Sequence, residues 1–97
     1  MNSFDEVKLE EGQVLFKAGE PADKLYFIQS GSINMADKNT GAVFATLKEG
    51  DSFGEQAMLQ GGIRGATAIA AEASVCLEIT AEGLRSMLIS ASPMMMI

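Results

Sequence analysis

A short stretch of this chain combines an acidic side chain, a basic side chain and glycine. It reads Phe53-Gly54-Glu55-Gln56-Ala57-Met58-Leu59, and Arg-Gly-Ala-Thr follows from Arg64. An ionised carboxylate such as Glu55 only accepts hydrogen bonds and suits a sugar hydroxyl, whereas the planar guanidinium of Arg64 fits two phosphate oxygens at once. Gly54 has no Cβ, so a ligand can approach its backbone. The stretch therefore predicts a pocket for a phosphate and a sugar hydroxyl.

Backbone N–H groups are expected to complete the phosphate site. Met58 and Leu59 give a short helical turn after Glu55 an apolar underside, so that its free N–H groups face an anion. Ala57 and Ala66 need only small side chains if their N–H groups contact the ligand.

Charge and composition argue against several function classes. The formal net charge of −6 argues against nucleic acid and anionic membrane surfaces, because both are bound through Lys and Arg. No apolar run approaches the roughly 20 residues of a membrane span, and the acidic, polar start does not resemble a secretory signal. We therefore expect a cytoplasmic protein that contacts neither nucleic acid nor membrane.

The chain has one cysteine and no histidine. We expect Cys76 to be a partly buried strand residue and not a nucleophile. Without histidine, neither a zinc or non-haem iron site nor the commonest general base can be built. The sequence thus predicts a protein that is not an enzyme and has no metal or other resident cofactor.

Short segments separated by glycine-containing turns predict a mainly β fold. Thr80 is a credible N-cap for a helix to about residue 90, and Ser92-Pro93 resembles a second helix start. We predict one domain over residues 1–97, an antiparallel, jelly-roll-like β-roll of about eight strands with a short helix after Glu55 and a C-terminal helix. The predicted strands are 7–9, 13–17, 25–29, 32–35, 42–47, 66–71 and 73–79.

The stretch from Phe53 resembles the phosphate-binding cassette of cyclic nucleotide-binding domains, whose pattern reads roughly Phe-Gly-Glu-x-Ala-Leu, a short gap, then Pro-Arg-x-Ala-Thr. The run from Gly19 to Gly31 resembles the first conserved block of that family, so the resemblance covers about residues 7–93. It implies that Glu55 binds a ribose hydroxyl and Arg64 the phosphate. Leu47 is expected to line the base pocket, although core packing explains it nearly as well. The ligand-binding residues implied are Gly54, Glu55, Gln56, Ala57, Arg64, Gly65, Ala66 and Leu47.

The chain departs from the family pattern at two places. Ile63 stands where the family usually has proline before the arginine, so we expect a more mobile loop and a lower affinity. The chain also stops where the family's final lid helix begins, so this helix is expected to be truncated. Either the chain is a fragment, or the lid comes from elsewhere, such as a second protomer. A second copy of the chain or an effector domain is the expected partner of the C-terminal helix.

Two functions follow from this pattern. The first is a non-enzymatic module that binds a cyclic nucleotide. The resemblance implies that cAMP is favoured over cGMP, because Gly65 offers no hydroxyl at the position where a threonine favours guanine in the family's cyclic GMP binders. The second is a degenerate member of the same fold that acts as a protein-interaction domain without nucleotide. A cupin-type enzyme shares a similar roll, but the lack of histidine argues against it.

Overall fold

The computed structural model describes residues 4–54, 62–80 and 82–83 of the chain. Their eight strands form two four-stranded antiparallel sheets, which confirms the predicted mainly β roll. The strands are β1 (Phe4–Leu9), β2 (Val14–Phe16), β3 (Lys24–Ser30), β4 (Ser32–Asp37), β5 (Val43–Lys48), β6 (Ser52–Phe53), β7 (Ala66–Ala70) and β8 (Ser74–Thr80).

Most successive strands alternate between the two sheets. The first sheet has the order β1-β8-β3-β6 and the second the order β2-β7-β4-β5. Each sheet turns an apolar face toward the other, and aromatic rings from β2, β3 and β6 meet between them. The buried core residues are Leu9, Phe16, Tyr26, Ile28, Ile33, Phe53, Ala68, Ala70 and Cys76.

Strand β8 departs from the expected burial. Cys76 is completely buried and not partly buried as predicted, because its side chain belongs to the hydrophobic core. Within its sheet, Cys76 is opposite Val7 of β1 and Ile28 of β3. Burial raises the pKa of its thiol to about 11, so the thiol stays protonated at neutral pH.

One turn follows the sequence expectation, and one strand does not. The β4–β5 hairpin turns over residues 38–41, where the carboxylate of Asp37 accepts N–H groups from Asn39 at 2.7 Å and Thr40 at 2.9 Å. Strand β6 has only two residues, which pair with Tyr26 and Phe27 of β3. So short a strand has no periodicity to predict it.

The start of the predicted C-terminal helix is confirmed. The hydroxyl of Thr80 accepts the backbone N–H of Gly83 at 2.9 Å, as an N-cap does, and Glu82 and Gly83 are helical. The rest of this helix, the turn at Ser92-Pro93 and the predicted helix after Glu55 lie outside the described residues.

Within residues 4–54, 62–80 and 82–83, no helix is long and apolar enough to cross a membrane. The same residues hold no group of three or more His, Cys, Asp or Glu side chains that could bind a metal ion.

Gly31 joins β3 to β4 in a crowded left-handed turn, and we expect Gly31→Ala to destabilise the domain strongly. Its φ is +89°, and a Cβ would lie 2.6 Å from the carbonyl oxygen of Ala73 and 2.7 Å from the Cα of Ser74. Ser74 cannot move easily, because its Oγ accepts the Ser32 N–H at 3.0 Å and donates to the Glu72 carbonyl at 2.8 Å. The expected loss of unfolding free energy is about 2–4 kcal/mol, measured by urea denaturation.

Gly41→Ala is the matched control. Gly41 also has a positive φ, +75°, but a Cβ there would meet nothing within 4 Å. We expect this variant to lose only about 1–2 kcal/mol of unfolding free energy, the cost of an L residue in a left-handed backbone conformation. Equal losses of unfolding free energy in the two variants would show that the contacts of a Cβ at position 31 add nothing to the backbone cost of a positive φ.

Candidate functional site

The backbone around Arg64 is fixed by hydrogen bonds to the loop before β3. The N–H of Arg64 donates to the carbonyl of Glu20 at 2.9 Å, and its carbonyl accepts the N–H of Gly19 at 2.8 Å. The N–H of Ala22 donates to the carbonyl of Gly62 at 2.6 Å. These bonds hold the segment although Ile63 replaces the family's proline.

The guanidinium of Arg64 points into the domain. The residue is only 3% exposed. Nη1 donates to the carbonyl oxygen of Gly54 at 3.1 Å, and Nη2 donates to the carbonyl oxygen of Lys24 at 2.6 Å. Nε is buried and has no hydrogen-bond partner among the described residues. The cation is therefore held by backbone carbonyls from the end of β6 and the start of β3.

Aromatic rings complete the surroundings of the guanidinium. Its carbon lies 4.1 Å from the ring centroid of Phe16 and 5.7 Å from that of Tyr26. The Phe16 contact is close enough for a cation–π interaction, which contributes about 0.5–2 kcal/mol depending on desolvation. Phe53 lies 6.1 Å from Phe16 and 5.6 Å from Tyr26 between centroids, so the three rings form one cluster.

Burial and the neighbouring ionisable groups have opposite effects on the pKa of Arg64. Desolvation lowers the pKa of its guanidinium, and the nearby Tyr26 and Asp23 partly offset this. Arginine keeps its proton even so. A full positive charge thus lies inside the roll, at the end where Gly54 follows β6.

A second polar network supports the strand that carries the Lys24 carbonyl. The hydroxyl of Tyr26 donates to Oε2 of Glu78 at 3.0 Å, and the ammonium of Lys24 lies 3.5 Å from Oε1 of the same carboxylate. Both Lys24 and Glu78 are partly exposed, so this ion pair contributes at most about 1 kcal/mol. It links β3 to β8 beside Arg64.

Gly54 is required by its conformation and by its neighbours. Its φ is +98°, and a Cβ would lie 2.8 Å from Nη1 of Arg64 and 3.3 Å from the carbonyl oxygen of Lys24. No L side chain fits there while Arg64 keeps this position. The structure thus brings together Gly54 and Arg64, two of the predicted site residues.

The other predicted site residues are more dispersed. Gly65 is exposed, with open space at its Cβ position. Ala66 begins β7 opposite Asp37, whereas Leu47 on β5 is opposite Ile33, about 13 Å further along β4. Leu47 packs against the core, and its role in a base pocket stays a prediction. Glu55, Gln56 and Ala57 lie outside the described residues.

The sequence pattern does not indicate Phe16, Tyr26 or the Lys24 carbonyl as neighbours of Arg64. Phe16 and Tyr26 lie far from Arg64 in the chain, and their aromatic character indicates only burial. Every residue has a backbone carbonyl, so the pattern of side chains cannot indicate which carbonyl accepts a hydrogen bond.

Residues 6–91 match the model of the family described as cyclic nucleotide-binding domain. The chain belongs to the cyclic nucleotide-binding domain family. This confirms the resemblance drawn from the cassette pattern.

Relatives of the domain occur within longer proteins. An NTE family protein of Mycobacterium bovis is 40% identical over 83 residues, which are 86% of this chain but only 14% of that protein. Catabolite activator protein of Thermus thermophilus superimposes with a TM-score of 0.81 at 26% identity, covering 92% of this chain and 43% of that one. The regulatory domain of Toxoplasma gondii PKA, in a co-crystal structure with cAMP, gives a TM-score of 0.79 at 29% identity, covering 87% and 33%.

The single tyrosine reports on the network beside Arg64. Burial, and then the hydrogen bond to Glu78, raise the pKa of Tyr26 far above its usual value. Because the raised pKa favours the protonated folded state, its stabilising effect is complete below about pH 10 and is lost as the pH rises above that. We expect no tyrosinate absorbance in the folded domain near pH 10–11, and ionisation only as the domain unfolds.

The same chain in concentrated urea is the control for this titration, since its tyrosine should ionise near pH 10. The chain has one tyrosine and no tryptophan, so the absorbance has one source. Ionisation near pH 10 in the folded domain would contradict the buried network.

Proposed function

We propose that this domain is a non-enzymatic regulatory module that binds a cyclic purine nucleotide in the cytoplasm, and that cAMP is preferred over cGMP. The observation that carries the proposal is the contact between Arg64 and the Gly54 carbonyl, which joins the two halves of the cassette pattern. The arginine that we propose binds the phosphate and the glycine before the proposed ribose-binding carboxylate are thereby neighbours.

Each predicted residue has a role in this proposal. Arg64 binds the cyclic phosphate, Glu55 accepts a hydrogen bond from the ribose hydroxyl, and backbone N–H groups from Gln56, Ala57 and Ala66 face the phosphate. Gly54 and Gly65 let the backbone approach the ligand, and Leu47 contributes to the base pocket. The co-crystal structure of the similar Toxoplasma domain with cAMP supports this ligand class.

The proposed output is a change in the contacts of the C-terminal helix. Ligand binding stabilises whichever arrangement of the cassette and this helix binds it better, so the two states differ by the ligand's differential affinity. An effector domain or a second copy of the chain would respond to that difference. The acidic chain itself would contact neither nucleic acid nor membrane.

The alternative function, an interaction domain without nucleotide, is also supported by one observation. The guanidinium of Arg64 is buried and donates to two backbone carbonyls of its own domain, as a purely structural arginine would. The two functions differ in whether the domain binds a cyclic nucleotide through Arg64.

Calorimetric titration of the domain with cAMP and cGMP tests the first function. We expect saturable binding in the wild type and a loss of about 2–4 kcal/mol in Arg64→Ala, a factor of roughly 30 to 1,000 in Kd, because charged hydrogen bonds to the phosphate disappear. Arg64→Lys keeps the charge but not the planar donor pair, so its affinity should lie between those of the wild type and Arg64→Ala.

Thermal unfolding of each variant is the control, since Arg64→Ala also leaves the carbonyls of Gly54 and Lys24 unpaired. Titrations are carried out well below the melting temperature of the weakest variant. No heat with either nucleotide, in a folded wild-type chain extended beyond Ile97, would favour the interaction domain.

The base preference is tested by a hydroxyl placed after Arg64. Gly65 has open space at its Cβ position, so Gly65→Thr should fold and supply a hydroxyl to a guanine. We expect the ratio of cGMP to cAMP affinity to rise about 3- to 10-fold, the contribution of one hydrogen bond. Gly65→Val has the same shape without the hydroxyl and should leave the ratio unchanged. Equal ratios in Thr and Val variants would refute the base argument.

A further inference from the structure

The guanidinium of Arg64, the proposed phosphate-binding group, is enclosed by contacts within its own domain. The guanidinium is 3% exposed, two of its nitrogens donate to carbonyls, and Phe16 covers one face. Because so little of Arg64 is exposed, a phosphate can reach the cation only if the side chain leaves these contacts.

We propose that the Phe16 ring and the carbonyls of Gly54 and Lys24 form an inner arginine site, which competes with the ligand phosphate for the Arg64 guanidinium and so sets the ligand affinity. This inference rests on the proposed function. Phe16 is then a positioning residue, since it acts on the ligand only through Arg64.

The inner arginine site is incomplete, which is why exchange is feasible. A guanidinium has five N–H donors. Within the described residues, Nη1 and Nη2 have carbonyl partners and the buried Nε has none. An unpaired buried donor is unfavourable, and a phosphate offers oxygens in the bidentate geometry that backbone carbonyls of two separate segments do not.

Release of Arg64 would also transmit the ligand's presence. The Gly54 carbonyl that loses its donor belongs to the residue directly before Glu55. The Lys24 carbonyl begins β3, which the Tyr26–Glu78 hydrogen bond ties to β8, and β8 leads to the helix start at Thr80. Exchange of one side chain therefore reaches both the cassette and the chain's last described segment.

The expected size of the competition follows from the cation–π contact. If the ligand binds only when Arg64 has left the inner arginine site, the apparent Kd is the intrinsic Kd divided by the fraction of molecules in that state. A contact over one ring changes that fraction by a factor of about 2 to 30. Removing the ring should therefore tighten binding.

The inner arginine site can be detected without ligand by NMR of the arginine side-chain Nε–H groups. The chain has two arginines, Arg64 and Arg85, so Arg64→Lys assigns the two resonances. We expect the Arg64 resonance to show an upfield ring-current shift and slow solvent exchange in the wild type, and to lose the shift in Phe16→Leu. An unshifted, rapidly exchanging Arg64 resonance in the wild type would overturn the proposal.

Affinity is then measured by calorimetry with cAMP on Phe16→Leu, with Phe53→Leu as the matched control. Phe53 belongs to the same ring cluster, but the cation–π contacts of Arg64 are with Phe16 and Tyr26. We expect Kd to fall about 3- to 10-fold in Phe16→Leu and to change less than about 2-fold in Phe53→Leu. Phe16→Met replaces Phe16→Leu if the latter does not fold.

The outcomes separate the inference from the function on which it rests. If the wild type binds cAMP and Phe16→Leu binds it equally well or more weakly, the proposed competition for Arg64 is overturned. The proposed function is then unaffected. Absence of both cAMP and cGMP binding in the wild type and in Phe16→Leu would refute both, while the NMR measurement would still show whether Arg64 occupies the inner arginine site.

Discussion

A positive charge inside a small β-roll is the constraint on which the rest of this site depends. Taking a guanidinium out of water is costly unless its donors and its charge are compensated. Here the compensation comes from separate parts of the chain: the Phe16 ring on β2, the Lys24 carbonyl and Tyr26 ring on β3, and the Gly54 carbonyl after β6. Both sheets must be in place before Arg64 can be accommodated, so the site is a property of the assembled fold.

The same constraint explains why a glycine precedes the predicted ribose-binding carboxylate. The carbonyl of Gly54 can turn toward Arg64 because the residue adopts a positive φ, and the missing Cβ leaves room for Nη1. Ligand approach, the reason given by the sequence pattern, is therefore not the only reason for glycine there. One residue serves both the interior contact and the surface that a ligand would meet.

In our proposal, the arrangement also relates the stability of this cyclic nucleotide-binding domain to ligand binding. Arg64 contributes to the core through Phe16 and two backbone carbonyls and, in our proposal, binds the ligand when its guanidinium leaves these contacts. A residue with two sets of partners makes the domain's state depend on which set is available. In this proposal, the hydrogen bond from Tyr26 to Glu78 links that dependence to β8, and thus to the segment where Thr80 caps a helix.

The sequence alone determined the fold class, the turns and the family, because these depend on local patterns. Alternating short apolar segments, glycines at tight turns and the cassette pattern around Gly54 and Arg64 are all readable in order along the chain. It also predicted the Thr80 cap, since capping involves only the next few residues. Tertiary structure alone decided that Cys76 is fully buried, that β6 exists, and that Arg64 packs on Phe16 and donates to two carbonyls. These depend on contacts between segments distant in sequence and on backbone atoms common to every residue, which no side-chain pattern encodes.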